Sequence, residues 1–194
     1  MTTRTDDLLL PNRAGLSSDL AFLRALHPHE TWRAHRNFGE LSAFWLQVHR
    51  SLREQGDALE QVVSTFRDGR SDAAAFQHLF VPALNHFLQH LNGHHQIEDA
   101  AYFPKFRALD PRMAAGFALL ESDHAIIHQA LTASLDTARA LLAALPRGDD
   151  TRRRATDRHA DAANRLRTLL GRHLSDEEEL VIPAMLEHGE RGIG

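Results

Sequence analysis

Four long segments of the chain share a hydrophobic period of about 3.6 residues, and short joints rich in Gly, Pro and Asp separate them. No stretch shows the period-two alternation of apolar β-branched residues that is typical of strands. The segments predicted as helices cover about residues 38–66, 72–107, 111–145 and 150–187. Because short joints force consecutive helices to run antiparallel, the pattern predicts an all-α fold, an up-down-up-down four-helix bundle.

The residues before the first predicted helix form an additional N-terminal segment. We place this extension at residues 1–36 and the bundle at residues 37–190, which a chain of 194 residues can fold as one domain. The extension contains one weakly apolar stretch, DLAFLRAL (residues 19–26), which could cap one end of the bundle or add an interface.

The composition narrows the kinds of site and partner. The chain has no cysteine, so disulfides and thiolate metal sites are excluded and any metal must be held by nitrogen and oxygen. A net charge of −4 argues against nucleic acid as a partner. The N-terminus matches neither a signal peptide nor a membrane span, so we expect a cytoplasmic protein with no membrane partner, either a monomer or a homodimer.

Two segments, HHQIEDAAYFP (residues 94–104) and HLSDEEELVIP (residues 173–183), align without a gap. Each has a His, a Glu four residues later and a Pro six residues after that, which pairs His94 with Glu98 and His173 with Glu177. Residues four apart lie on one face of a helix, and the face around His173 is otherwise apolar. Burying an unpaired imidazole and carboxylate is costly, so a cation shared by both helices is the favoured explanation, with buried ion pairs as the alternative.

The other two predicted helices add inward-facing histidines. His124 and His128 are one turn apart on the third segment, although His128 could also lie at the surface. His49 lies at the edge of the apolar stripe of the first segment, where a core histidine is the alternative and His35 is its rival as a ligand. Five imidazoles and two carboxylates exceed one tetrahedral ion and suit two octahedral first-row ions about 3.5 Å apart.

This set of residues resembles the hemerythrin family, in particular the hemerythrin-like HHE cation-binding domains, over about residues 40–188. The resemblance implies a centre of two iron ions, oxo- or hydroxo-bridged, and manganese is compatible with the same donors. The ligands that it implies are His49, His94, Glu98, His124, His173 and Glu177. His128 matches an additional histidine of the oxygen-carrying hemerythrins. The carriers' last acidic ligand corresponds to Glu178 rather than Glu177, so oxygen transport is not implied.

Several residues near the motifs have weaker assignments. Only the register of His94 and Glu98 repeats on the fourth helix, so His95 and Asp99 are predicted as neighbours of the site. Tyr102 lies one turn beyond Glu98 and is a candidate catalytic residue, which either packs or donates a hydrogen bond or hydrogen atom to a bound oxygen ligand. His86 and His90 either line the bundle mouth or are solvated, and the histidines predicted at the surface are His27, His29, His78, His159 and His188.

The imidazole-rich donor set indicates the kind of chemistry. It favours a protein that binds O2, NO or peroxide at an open iron position, as a sensor or store. The alternative is a di-iron oxidoreductase that acts on hydrogen peroxide or O2, by disproportionation or as an oxygenase. A third hypothesis is iron homeostasis or repair without turnover at the site.

Overall fold

The computed structural model describes residues 8–193, whose regular structure is helical and includes no strand. The α-helices are α1 (Glu40–Arg67), α2 (Ala73–Ile97), α3 (Phe103–Leu109), α4 (Ala114–Ala144) and α5 (Asp149–His188). The four predicted segments match these helices closely, with α2 and α3 together forming the second. Among the described residues no helix combines the length and apolar character needed to cross a bilayer.

A π-helical turn at Glu98–Tyr102 joins α2 to α3. The backbone N–H of Phe103 donates to the carbonyl of Glu98, five residues earlier, instead of four as in an α-helix. Pro104 follows at the start of α3 and has no N–H to donate, which interrupts the α-helical ladder at the same place. The second predicted helix therefore contains one extra residue in the turn that follows Glu98.

The start of α1 is capped by a residue from the other end of the chain. One carboxylate oxygen of Glu190 accepts hydrogen bonds from the backbone N–H groups of Gly39 and Ser42, at 2.9 and 2.8 Å, and the other accepts from Leu41 at 3.1 Å. The first N–H groups of a helix lack partners within the helix, so a carboxylate here is stabilising. Gly39 permits the contact, because a Cβ at this position would overlap the Glu190 carboxylate.

The chain forms two compact units, and each long helix contributes residues to both. The described residues of the first unit are 8–50, 94–125 and 171–193, and the second unit contains 51–93 and 126–170. The core of the first unit includes Ala21 and Leu23, at 2% and 5% exposure. The apolar stretch predicted in the N-terminal segment therefore packs into the core of this unit.

In the second unit, the rings of Phe66, Phe76 and Phe80 form a stack with centroid separations of 4.2 and 4.8 Å. The ring of His159 meets Phe80 edge-on at 5.1 Å, and its Nδ1 lies 3.2 Å from the hydroxyl of Thr137. The prediction that His159 lies at the surface is wrong, because this histidine is buried in the core of the unit.

The surface prediction for His27 is also wrong. In the first unit its side chain is buried, and its Nε2 lies 2.8 Å from a carboxylate oxygen of Glu187. Its backbone carbonyl accepts a hydrogen bond from the indole of Trp32 at 2.8 Å. This part of the N-terminal segment lies outside the predicted helices, so helical periodicity could not predict its burial. His29, His78 and His188 are exposed, as the sequence predicts.

Candidate metal centre

Histidine and glutamate side chains from α1, α2, the π-helical turn, α4 and α5 converge inside the first unit. They form two groups, and within each group one ligand atom per residue lies within 4.8 Å of the others. The first group consists of His49, His94, Glu98 and Glu177, and the second consists of His95, Glu98, His124 and His173. Because Glu98 belongs to both groups, the two form one continuous site.

The donor atoms of the site are buried and many have no hydrogen-bond partner. His49, His173 and Glu177 are fully buried, and Glu98 is 1% exposed. The unpartnered atoms are Nε2 of His49, His94 and His95, both carboxylate oxygens of Glu98, and Oε2 of Glu177. Buried polar atoms without partners are costly, and one or two cations would give all of them a partner. The residues present therefore fit a metal centre.

Carboxylates outside the two groups orient the imidazoles. Nδ1 of His49 donates to Glu178 at 2.9 Å, and Nδ1 of His124 donates to Asp99 at 2.9 Å. Since a carboxylate can only accept, each Nδ1 carries a proton, and Nε2 is the ring nitrogen left for a cation. Such outer partners fix the tautomer and orientation of metal-binding imidazoles. Glu178 and Asp99 thus support ligands rather than belonging to either group.

The third orienting carboxylate is connected to the N-terminal segment. Nδ1 of His173 lies 3.4 Å from Asp123, and Asp123 accepts a hydrogen bond from Arg13 at 2.9 Å. Nε of Arg13 also donates to Asp176 at 2.7 Å, and the Arg13 side chain is buried. The sequence predicts none of this, because no spacing relates Arg13 to the two aspartates. The only available signal is that each aspartate directly precedes a predicted ligand.

The imidazoles of α4 and α5 face each other across the second group. Nε2 of His124 and Nε2 of His173 are 3.1 Å apart. Burial opposes the charge on His173, but Asp123 and Glu177 outweigh it and raise its pKa, so a protonated Nε2 of His173 can donate to Nε2 of His124. Both Nε2 atoms thus face the same point, where a cation could replace the proton and bind both.

The two histidines of the first group have opposite protonation tendencies. Burial opposes the charge on His49, but Glu177 and Glu178 outweigh it and raise its pKa to about 9. Burial lowers the pKa of His94 to about 3, and the positive charge of His49 adds to the effect. In the first group, the imidazole of His94 is therefore neutral, and that of His49 stays protonated until a cation displaces the proton.

The two glutamates also differ. Burial and the charge of Glu177 raise the pKa of Glu98 well above its ordinary value. Burial disfavours the charge on Glu177, but His49 and His173 outweigh it and hold the pKa of Glu177 well below its ordinary value. Glu177 is also fixed by the indole of Trp45, whose N–H donates to its Oε1 at 2.7 Å. A bound cation would stabilise the charge on both carboxylates.

The π-helical turn changes which aromatic residue meets the site. Phe103 is fully buried, and its ring lies 5.6 Å from the ring of His124. Tyr102 is half-buried, and its ring contacts Trp45 edge-on at 4.9 Å. Tyr102 was predicted one α-helical turn beyond Glu98, but the extra residue turns it toward Trp45. It contacts Trp45, whose indole N–H donates to Glu177.

The structure brings most of the predicted ligands together. The predicted residues found in the two groups are His49, His94, Glu98, His124, His173 and Glu177. His128 is exposed on α4, and among the described residues neither group includes it or His35. His95, predicted as a neighbour, belongs to the second group. His90 accepts a hydrogen bond from the Gln55 amide at 2.8 Å.

One of three comparisons with known proteins, a family model, matches the chain. The family model described as Hemerythrin, the hemerythrin HHE cation binding domain, matches residues 40–185. The comparison with curated proteins and the comparison with solved structures each give no match. The matched range covers α1 to α5 except for the last residues of α5, and it contains every residue of the two groups. The chain belongs to the hemerythrin family and carries its HHE cation-binding domain.

Proposed function

We propose that this protein holds two iron ions and binds a small ligand, O2, NO or peroxide, at an open iron position. The observation that carries the proposal is the convergence of buried His and Glu side chains from four long helices and the π-helical turn, many of whose donor atoms have no hydrogen-bond partner. The proposed ligands are His49, His94, Glu98, His124, His173 and Glu177. Imidazole and carboxylate donors without any thiolate suit iron, and manganese is compatible with them.

The fold that we propose for this function is an up-down-up-down bundle, with residues 37–190 as one domain and residues 1–36 as its extension. The short joints between α1 and α2, and between α4 and α5, support antiparallel neighbours. In this arrangement α3 continues α2 beyond the π-helical turn. The ligands then come from all four long helices, which makes the bundle itself the frame of the site.

The protein's own residues would bind the metal ions, orient the imidazole ligands and shield the site from water. Glu178 and Asp99 hold the proton of an imidazole Nδ1, so that each Nε2 stays available. Phe103 covers the His124 ring and limits the access of water. A bound iron pair supplies open coordination positions and a change of oxidation state. Four imidazoles with only two carboxylates favour the binding of a small ligand over its activation.

Ligand binding can be tested on metal-loaded protein. The metal-free protein is loaded with ferrous iron under nitrogen, and its absorption spectrum is recorded before and after NO, O2 and hydrogen peroxide are added separately. We expect two irons per chain and a saturable spectral change with at least one of the three ligands. His78→Ala, which alters an exposed histidine of α2, should behave like the wild type. Two bound irons without a spectral response to either gas or to peroxide would contradict the proposal.

A second candidate function, a di-iron oxidoreductase that disproportionates hydrogen peroxide to water and O2, is favoured by one observation. Trp45 contacts both Glu177 and Tyr102, so a half-buried phenol is linked to a metal-facing carboxylate through one indole. The test is oxygen evolution after peroxide is added to loaded protein. This function predicts that Tyr102→Phe keeps both irons and evolves oxygen at least about 100-fold more slowly, in the range of a lost proton-transfer group. An inert wild type rejects it.

A further inference from the structure

We propose that His95 is a metal ligand and that the second iron position takes its nitrogen atoms from His95, His124 and His173. This inference rests on the proposed di-iron function and specifies the composition of its two metal positions. The second position would have three imidazoles and shares Glu98 with the first. The first would have two imidazoles, His49 and His94, and two carboxylates.

Contacts in the first unit support the assignment of His95. Its side chain is buried at 9% exposure, and its Nε2 has no hydrogen-bond partner. Its ring is stacked on His124, with centroids 4.0 Å apart and an interplanar angle of 11°. The ring of His173 meets it edge-on at 5.4 Å. His95 thus lies against both other histidines of the second group, with a free donor atom.

If His95 had a purely structural role, its ring nitrogens would be expected to have protein partners. The other buried histidines outside the site, His27 and His159, each have a ring nitrogen close to a protein partner, Glu187 at 2.8 Å and Thr137 at 3.2 Å. A buried ring nitrogen that lacks any partner costs free energy, and packing alone gives nothing in return. The unpartnered Nε2 of His95 belongs instead to a group in which both carboxylate oxygens of Glu98 also lack hydrogen-bond partners, and a cation would satisfy them together.

Helix geometry explains how consecutive residues serve different metal positions. Neighbouring residues on an α-helix point about 100° apart, so His94 and His95 face different groups. Glu98 is four residues after His94 and three after His95, and both separations bring side chains together on a helix surface. One carboxylate can therefore meet both imidazoles. On α5 the residue after His173 is Leu174, which is fully buried and cannot ligate.

The test compares His95→Leu with His128→Leu, a matched control that removes an exposed histidine outside both groups. Each protein is loaded with 57Fe, and iron per chain is measured before and after dialysis against a weak chelator. Wild type and His128→Leu should keep two irons. His95→Leu should keep one, with the second dissociating at least tenfold more readily. Two equally retained irons in His95→Leu would overturn the inference but leave the proposed function intact.

Two further measurements keep the outcome decisive. Circular dichroism shows whether His95→Leu folds. If it does not, His95→Phe, which retains a flat ring against His124, is measured in the same way. In the Mössbauer spectra of the loaded proteins, we expect two unequal iron environments of equal area for the wild type and the loss or shift of one of them in the variant. A variant spectrum identical to that of the wild type would overturn the inference. A wild type that binds no iron would instead overturn the proposed function itself.

Discussion

At the scale of single residues, the site depends on buried donor atoms, many of which have no hydrogen-bond partner in the protein. His173 and Glu177 are fully buried one turn apart on α5, with His173 Nε2 and Glu177 Oε2 3.3 Å from each other. Glu177 also lies 3.3 Å from Nε2 of His49, so it connects α1 with α5. Removal of either α5 residue takes a donor from one group and changes the charge that neighbouring donors experience.

We therefore expect His173→Ala and Glu177→Ala each to lose metal. Each substitution removes one ligand and also leaves its neighbours without a charge partner, so the loss of affinity should exceed tenfold. Iron per chain after desalting measures the effect, with His78→Ala as a control on an exposed histidine. Two irons retained by either α5 variant would show that the ligand register proposed for this helix is incorrect.

Sequence reasoning found the residues whose spacing repeats and missed one whose spacing does not. His94 and Glu98 have counterparts in His173 and Glu177, and that repetition carried the prediction. His95 has Leu174 as its counterpart, so comparison of the two motifs argued against it. The contact that reveals His95 is its ring stacked on His124, which depends on how α2 and α4 pack and not on any local pattern.

At the scale of elements, the N-terminal segment is part of the environment of the site. Arg13 connects Asp123 on α4 with Asp176 on α5, and all three side chains are buried. Burial opposes protonation of Arg13, but both aspartates favour it, and its pKa is raised. The same interactions, together with His173, lower the pKa of Asp123 against the effect of its own burial. The segment thus fixes the carboxylate that orients His173.

Arg13→Met should destabilise the protein by about 3–5 kcal/mol, because it leaves two buried carboxylates without their cation. Arg24→Met is the matched control, since its ion pair with Glu179 is more than one third exposed and should contribute at most about 1 kcal/mol. Urea unfolding of the metal-free proteins measures both changes. Equal effects for the two variants would contradict the role of Arg13 described here.

The Glu190 cap on α1 should make a contribution to the free energy of unfolding that depends on pH in a defined way. Burial disfavours the charge of Glu190, but hydrogen bonds from Ser42, Leu41 and Gly39 outweigh it and lower its pKa from 4.5. A carboxylate with a lowered folded pKa stabilises above its unfolded pKa, and this stabilisation is lost as pH falls through the folded value. Glu190→Ala should cost about 1–2 kcal/mol at pH 7, from urea unfolding, and progressively less below pH 4.5. If the difference in unfolding free energy between wild type and Glu190→Ala did not change with pH, the charge of Glu190 would have no role in the cap.

The π-helical turn shows where helical periodicity loses its predictive power. The pattern predicts one continuous helix through residues 72–107, and the chain is indeed helical over nearly all of it. The extra residue between Glu98 and Phe103 leaves no trace in the spacing of apolar residues, because Tyr102 and Phe103 are both aromatic. The position of Tyr102 relative to the site could therefore not be predicted from a period of about 3.6 residues.

At the scale of the whole molecule, the helix bounds and the all-α class could be predicted from the sequence, since long periodic segments and breaker-rich joints determine them. Burial of individual polar residues could not. His159 lies on a polar part of α5, yet it is 2% exposed and its pKa is lowered to about 4, first by burial. A buried histidine affects the stability of the whole molecule through the protons that the unfolded chain binds.

This gives an expected pH dependence of global unfolding. Unfolded His159 binds a proton below about pH 6.5, whereas folded His159 does so only below about pH 4. The unfolded state therefore binds more protons between these values, and stability falls as pH is lowered through this window, by up to about 3 kcal/mol. In the metal-free His159→Leu variant, the free energy of unfolding should lack this part of its dependence on pH. Identical slopes for wild type and variant, from urea unfolding between pH 4 and 7, would contradict the buried neutral state.

Whether this chain holds a pair of irons is decided by the metal content of the aerobically purified protein, measured together with its absorption spectrum. The buried donor atoms of the two groups predict two irons per chain and the charge-transfer absorption of a bridged iron pair. A single zinc per chain, or a correctly folded protein that binds no metal when iron is supplied, would contradict this prediction.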